Sequence, residues 1–228
     1  MVGVLHRTAL AGAVTFLVAA IGWTDMGLAQ VSTAVSTAMP DHGSAALSPA
    51  NSPDDFMPIA GWTRPPIGYL SFCRNFPSEC TRSGETGSVA LTEDLWTELV
   101  AVNRVINKKI EPVTDLEFYN TEEYWTLPSN SGDCEDYVLL KRQALIRQGW
   151  PSGALLVTVV FDEIGDGHAV LIARTDRGDF VLDNKVDALR LWSQTPYRYV
   201  KRQSVSDPDR WVAINDSRWP IGSATSAN

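Results

Sequence analysis

The sequence predicts an α+β fold, with helices first and an antiparallel sheet after them. Between residues 92 and 148 apolar residues recur at three- and four-residue spacing, the period of a helix face. From Ala154 onward they fall instead into short β-branched runs separated by turn residues. A block of helix followed by a block of strand is the pattern of an α+β domain.

The fold begins well inside the chain. His6 and Arg7 give a weakly basic start, Thr8 to Ile21 is almost wholly apolar, and Gly27-Leu28-Ala29 offers small residues for cleavage after Ala29. That three-part pattern predicts a signal peptide over 1–29. The apolar run is short for a membrane span of about 20 residues. Residues 30–58 are rich in Ser, Thr, Ala, Pro and Asp with little periodicity. Such a stretch buries too little apolar surface to offset its ordering entropy, so a disordered linker is expected. Residues 59–219 are one domain's worth of chain and hold seven of the eight tryptophans. A flexible tail is expected over 220–228.

Within the domain, Cys73 and Cys80 flank a proline turn. In an exported protein two such cysteines are expected to form a disulfide, worth about 2–3 kcal/mol for so short a loop. Thr92 through Lys109 reads as a helix, with Leu95, Leu99, Val102 and Ile106 on one face and Thr92 as its cap. Asp115 to Trp125 reads as a loop or short helical turn. A second helix is expected from Cys134 to Gln148, with Glu135 and Asp136 in its first turn and Gly149 and Pro151 ending it.

Ala154 to Phe161 reads as a central strand. His168–Arg174 and Phe180–Lys185 flank a turn at 175–178, and Tyr197–Gln203 and Trp211–Ile214 follow, together an antiparallel meander. The formal net charge of −8 leaves no electrostatic means of gripping nucleic acid. The one dense basic cluster, 198–202, alternates as the solvated face of a strand would.

Three residues carry the chemistry. Cys134 stands at a helix start, where the dipole and free N–H groups lower a thiol's pKa and offer an oxyanion hole. His168 is the only histidine beyond residue 42 and opens a strand. Asp183 lies in the next strand. With the loop at 175–178 Asp183 opposes Val170 and sits diagonal to His168, within side-chain reach on the same face. Taken singly, the cysteine reads equally as a nucleophile or a small core residue, and the histidine more readily as a structural one. Taken together they predict a cysteine nucleophile, a histidine base and an orienting aspartate. Asp133, Glu135 and Asp136 oppose this by raising the thiol's pKa, so a compensating positive charge is expected.

The blocks Gly132-Asp133-Cys134-Glu135-Asp136-Tyr137, Gly167-His168-Ala169-Val170-Leu171 and Phe180-Val181-Leu182-Asp183-Asn184 resemble those of bacterial transglutaminase-like cysteine peptidases. These are relatives of the LapG-type periplasmic adhesin proteases. The likeness covers residues 68–215. It implies a papain-like core with the nucleophile helix packed on an antiparallel sheet, and Cys134, His168 and Asp183 as the triad. It further implies calcium beside the nucleophile at Asp133 and Glu135, although the thioester chemistry itself calls for no cofactor. The expected partners are a protein substrate such as a cell-surface adhesin and an inner-membrane regulatory receptor, in the periplasm or outside the cell. No membrane span is expected after signal cleavage. A crosslinking or amidating transglutaminase shares the same thioester chemistry, and a non-catalytic binding module would have no need of all three residues.

Overall fold

The computed structural model describes residues 52–84 and 87–219. The expected signal peptide, the linker as far as residue 51 and the tail at 220–228 lie outside the described residues. The elements in chain order are β1 (Ile59–Thr63), α1 (Ile67–Asn75), α2 (Glu93–Lys109), β2 (Glu111–Pro112), α3 (Asp115–Tyr119), β3 (Ser131–Gly132) and α4 (Cys134–Arg147). Then come β4 (Leu155–Phe161), β5 (Gly167–Thr175), β6 (Gly178–Leu182), β7 (Arg190–Leu191), β8 (Arg198–Gln203) and β9 (Trp211–Ile214). The α+β class is the one expected.

The helices form for the reasons their sequences supply. Thr92 caps α2 by accepting from the Leu95 N–H, and Lys108 and Lys109 occupy its last turn. α3 is closed by a capping box between Thr114 and Glu117, which settles 115–119 as a helical turn. α4 starts at Cys134, and beyond its end Gly149 takes a φ of +103° that a side chain would strain. α1 escapes the sequence reading because it follows Pro65-Pro66 and has no side-chain cap, yet it buries Tyr69 and Phe72.

Seven strands form one antiparallel sheet in the order β1-β9-β8-β4-β5-β6-β7. This corrects the simple meander. β4 through β7 do run as a meander, but β8 returns to the far side of β4 and β9 and β1 follow it outward. The cause is the burial of β4, a run of apolar residues that needs a neighbour on each edge. β1 was not expected, since four of its five residues are exposed. It is held by its backbone ladder to β9.

One apolar layer, with Leu99, Val102, Val138, Leu145, Leu155, Val157, Leu171 and Leu182, joins the helices to the sheet. A second, with Met57, Val170, Ile172, Val181, Trp192, Tyr199 and Ile214, covers the opposite face. Met57, within the stretch assigned above to the linker, is part of this second layer. Met57 is buried and donates its N–H to Asp179 Oδ2 at 2.9 Å, while Trp192 Nε1 donates to Asp54 O.

The basic cluster is corrected too. Arg198 is exposed, but Arg202 is buried beside β4 and burial pushes its guanidinium down to about 10. A bulge opposite Val159/Val160 shifts the register of β8 and breaks the strict alternation. Cys73 and Cys80 form the expected disulfide. Among the described residues no helix is long and apolar enough to cross a membrane.

Candidate active site

The β5–β6 hairpin sets the first half of the site. Arg174 opposes Asp179 and Leu171 opposes Leu182, the pairing predicted above, although the turn is tighter because Thr175 and Gly178 also pair. Gly178 has a φ of +118°, and a Cβ there would meet Asp55 O at 2.8 Å, so the tight turn requires glycine. Asp183 follows β6 directly, and its Oδ1 lies 3.0 Å from His168 Nε2.

Around this pair Asp183 has further partners. Tyr197 Oη donates to Oδ2, Lys185 N–H donates to Oδ1, and Asn107 Nδ2 of α2 donates to the Asp183 carbonyl. Burial pushes the carboxyl up, but the hydrogen bond and charge of His168, then Tyr197 and Lys185, outweigh burial and hold it below the usual range. Tyr197 also packs edge-on against the imidazole, with ring centroids 5.5 Å apart.

The second half is the start of α4. Asp136 is fully buried and its Oδ1 accepts from Thr126 N–H at 2.8 Å. Its other oxygen sits where a side chain on residue 132 would go, since a Cβ on Gly132 would fall 2.5 Å from Oδ2. The glycine two residues before the cysteine is therefore a packing requirement. Cys134 is the free cysteine, and its thiol donates to Glu135 Oε2 at 3.0 Å. The Ala169 N–H of β5 also bonds to it, which brings the thiol against the strand residue next to His168.

The electrostatics differ from the expectation of a lowered thiol pKa. Burial pushes the Cys134 thiol well up, Glu135 and Asp133 add to the rise, and the Ala169 N–H only partly opposes it. The helix-start effect is outweighed first by burial and then by the acidic neighbours Glu135 and Asp133.

The pair singled out in the sequence, Asp133 and Glu135, sits within a larger group of carboxylates. Asp133 lies with Asp115 and Asp136, their oxygens within 4.8 Å of one another, and Glu135, which accepts from the thiol, also bonds to Asp133. Burial and then Glu135 push Asp133 up to about 9, and burial pushes Asp136 up to about 7. Asp133 Oδ1 and Asp136 Oδ2 are buried without a hydrogen-bond partner. Unpartnered carboxylate oxygens facing one another are what a hard cation fits.

Asp115 was missed because it lies 18 residues before Asp133 on a separate helix. Tyr197 and Asn107 were missed for the same reason, and no local pattern marks them.

A cysteine at a helix start, set against a sheet that holds a paired histidine and aspartate, defines a thiol hydrolase of α+β build. Residues 59–219 match the family model described as bacterial transglutaminase-like cysteine proteinase, BTLCP, so the chain belongs to that family and is a cysteine peptidase. Among solved structures, LapG of Legionella pneumophila is similar at 25% identity, over 54% of this chain and 71% of that one, with a TM-score of 0.45. Its EGTA-treated form is similar at 24%, over 54% and 73%, with a TM-score of 0.44. Its calcium-bound form is similar at 22%, over 59% and 75%, with a TM-score of 0.45. No curated protein matches the chain.

Proposed function

We propose that this cysteine peptidase cleaves a protein substrate through Cys134, His168 and Asp183. The observation that carries the reading is the buried His168–Asp183 hydrogen bond, with Ala169 N–H joining the same strand to the thiol. The Cys134 proton passes to His168, and the thiolate adds to the scissile carbonyl carbon. Backbone N–H groups at the start of α4 stabilise the oxyanion. The C–N bond breaks, the amine leaves with the proton from the imidazolium, and a thioester remains on Cys134. Water then adds to the thioester, giving its proton to His168, and the acid product leaves as the thiol re-forms. Asp183 fixes the tautomer of the imidazole and stabilises its cation.

Calcium is the ion we propose for Asp115, Asp133 and Asp136. When bound it supplies positive charge beside the thiol. The Cys73–Cys80 disulfide and the amino-terminal pattern support an exported, periplasmic or secreted enzyme. A cell-surface adhesin is the substrate, and an inner-membrane receptor the regulator, that the family resemblance brings forward.

The test is incubation of the purified chain with a library of unfolded polypeptides, followed by mass spectrometry of new amino termini. Wild type is expected to cleave, and Cys134→Ala to lose activity by at least about 10³-fold while melting as wild type does. Cleavage by Cys134→Ala at the wild-type rate would overturn the assignment. For the ion, calorimetric titration of calcium into chelated protein should give heat, and activity should fall in excess EGTA. Full activity in chelator with no heat of binding would leave these carboxylates structural.

A further inference from the structure

The ladder that joins β5 to β6 stops before it reaches the histidine and the aspartate. Its last rung is Leu171 opposite Leu182, so His168 and Asp183 both lie beyond it. On the other edge β4 accompanies β5 to its start, where Val160 opposes His168 and Phe161 opposes Gly167. Backbone pairing therefore fixes the strand under the imidazole, while the carboxylate leaves the sheet before meeting it. Other bonds have to hold the segment after β6 against the start of β5.

One ion pair spans that gap. Lys185 Nζ donates to Asp162 Oδ2 at 2.6 Å, and Asp162 directly follows β4. The same lysine donates its backbone N–H to Asp183 Oδ1 at 3.0 Å, the oxygen that meets His168 Nε2. Asp162 is itself buried and locked in place. Its Oδ1 accepts from the N–H groups of Ile164 at 3.1 Å and Asp166 at 2.9 Å, and its own N–H donates to Asp166 O at 2.9 Å. Each carboxylate oxygen thus has a separate task, one closing the β4–β5 turn and the other holding the lysine. Asparagine would serve the turn as well, since its Oδ1 can accept the same two bonds. A carboxylate taken out of water is costly, and here it is the lysine that calls for the charge. The Lys185 hydrogen bond holds the Asp162 carboxyl down at about 2, so the bridge stays charged where an imidazole titrates.

We propose that Asp162 and Lys185 are positioning residues for the His168–Asp183 pair. Their bridge ties the β4–β5 turn to the segment carrying Asp183, and keeps the carboxylate on the imidazole where the ladder no longer does. Both act through Asp183. The inference rests on the reading of Cys134, His168 and Asp183 as the triad.

The experiment needs no substrate. The ring N–H proton of His168 is followed by NMR in the isotope-labelled full chain, with His168→Gln to assign it. In wild type the proton shared with Asp183 should lie far downfield and exchange slowly with water, and in Asp183→Asn it should move upfield or vanish. Asp162→Asn keeps the turn and Lys185→Met keeps the stem, and each should speed exchange of the ring proton about tenfold. The backbone amides of β4 and β5 should exchange as in wild type. Lys185→Arg, which keeps the charge, should stay within about threefold of wild type. Either of the first two variants suffices should the other fold poorly. Exchange at the wild-type rate in either one, once folded, would overturn the inference and leave the triad standing. Amides of β4 and β5 accelerated as much as the ring proton would overturn it too, because the bridge would then brace the sheet in general. A wild-type ring proton indifferent to Asp183→Asn would overturn the pairing, and the triad reading with it.

Discussion

At the imidazole end of the site both oxygens of the Asp183 carboxylate are engaged, by His168, Lys185 N–H and Tyr197. At the thiol end, by contrast, Asp133 and Asp136 each keep a buried oxygen without a partner, and the thiol is pushed up by burial and then by its acidic neighbours. One end is completed by the protein's own donors, and the other gathers buried carboxyl groups whose oxygens the protein leaves unsatisfied. The contrast teaches how unequally the two ends are completed. The imidazole end is held by the protein's own groups, whereas the thiol end leaves the carboxyl oxygens of Asp115, Asp133 and Asp136 within 4.8 Å of one another.

The largest test of this contrast is Asp183→Asn. If the imidazole end works as a preassembled unit, kcat should fall by about 10²–10⁴ with KM little changed. The same variant carries a pH signature. The folded-state pKa of Asp183 is depressed, so its contribution to stability is present above its unfolded value, about 3.9, and is lost as pH falls through the folded value. Wild type should therefore lose stability in that acid window, and Asp183→Asn should lose less there. Equal acid sensitivity in a thermal melt series would show that the carboxylate is not held as described.

Gly132→Ala probes the thiol end next. The added Cβ would fall 2.5 Å from Asp136 Oδ2, so the carboxylate or the start of α4 must move. Overpacking of this kind costs about 1–3 kcal/mol, and calcium affinity should fall with it. A variant with wild-type melting and wild-type calcium titration would show that the carboxylates are not held in place by the glycine.

The smallest expected effect is Tyr197→Phe. It removes one of three donors to the Asp183 carboxylate, and a net hydrogen bond to a charged group is worth about 1.5–3 kcal/mol. The loss should appear mainly in kcat, at roughly a tenfold reduction, because His168 and Lys185 still hold the carboxylate. A loss as large as that of Asp183→Asn would mean that Tyr197 touches the reacting groups itself.

How legible each end was in the sequence follows the same division. The hairpin that pairs His168 with Asp183 was readable because strand register is arithmetic, and Arg174 does oppose Asp179. The boundaries of α2 were readable from Thr92 and the terminal lysines. The carboxylate group was not, because Asp115 arrives from α3, and Glu135 and Asp136 differ only in which way a helix turn aims them. β1 stayed hidden because an exposed edge strand has no apolar alternation to betray it. Arg202 misled because a bulge in β8 carried a charge inward.

The pairing of β1 with β9 bears on how the domain answers mechanical load. Ile59 at the start of β1 lies opposite Ile214 at the end of β9, so the first strand begins and the last strand finishes at the same end of one antiparallel ladder. A pull applied between those ends would open the ladder like a zipper, one rung at a time, rather than shear all its hydrogen bonds together. The first strand would peel away while β4, β5 and β6, which carry the imidazole half of the site, stayed closed behind β8.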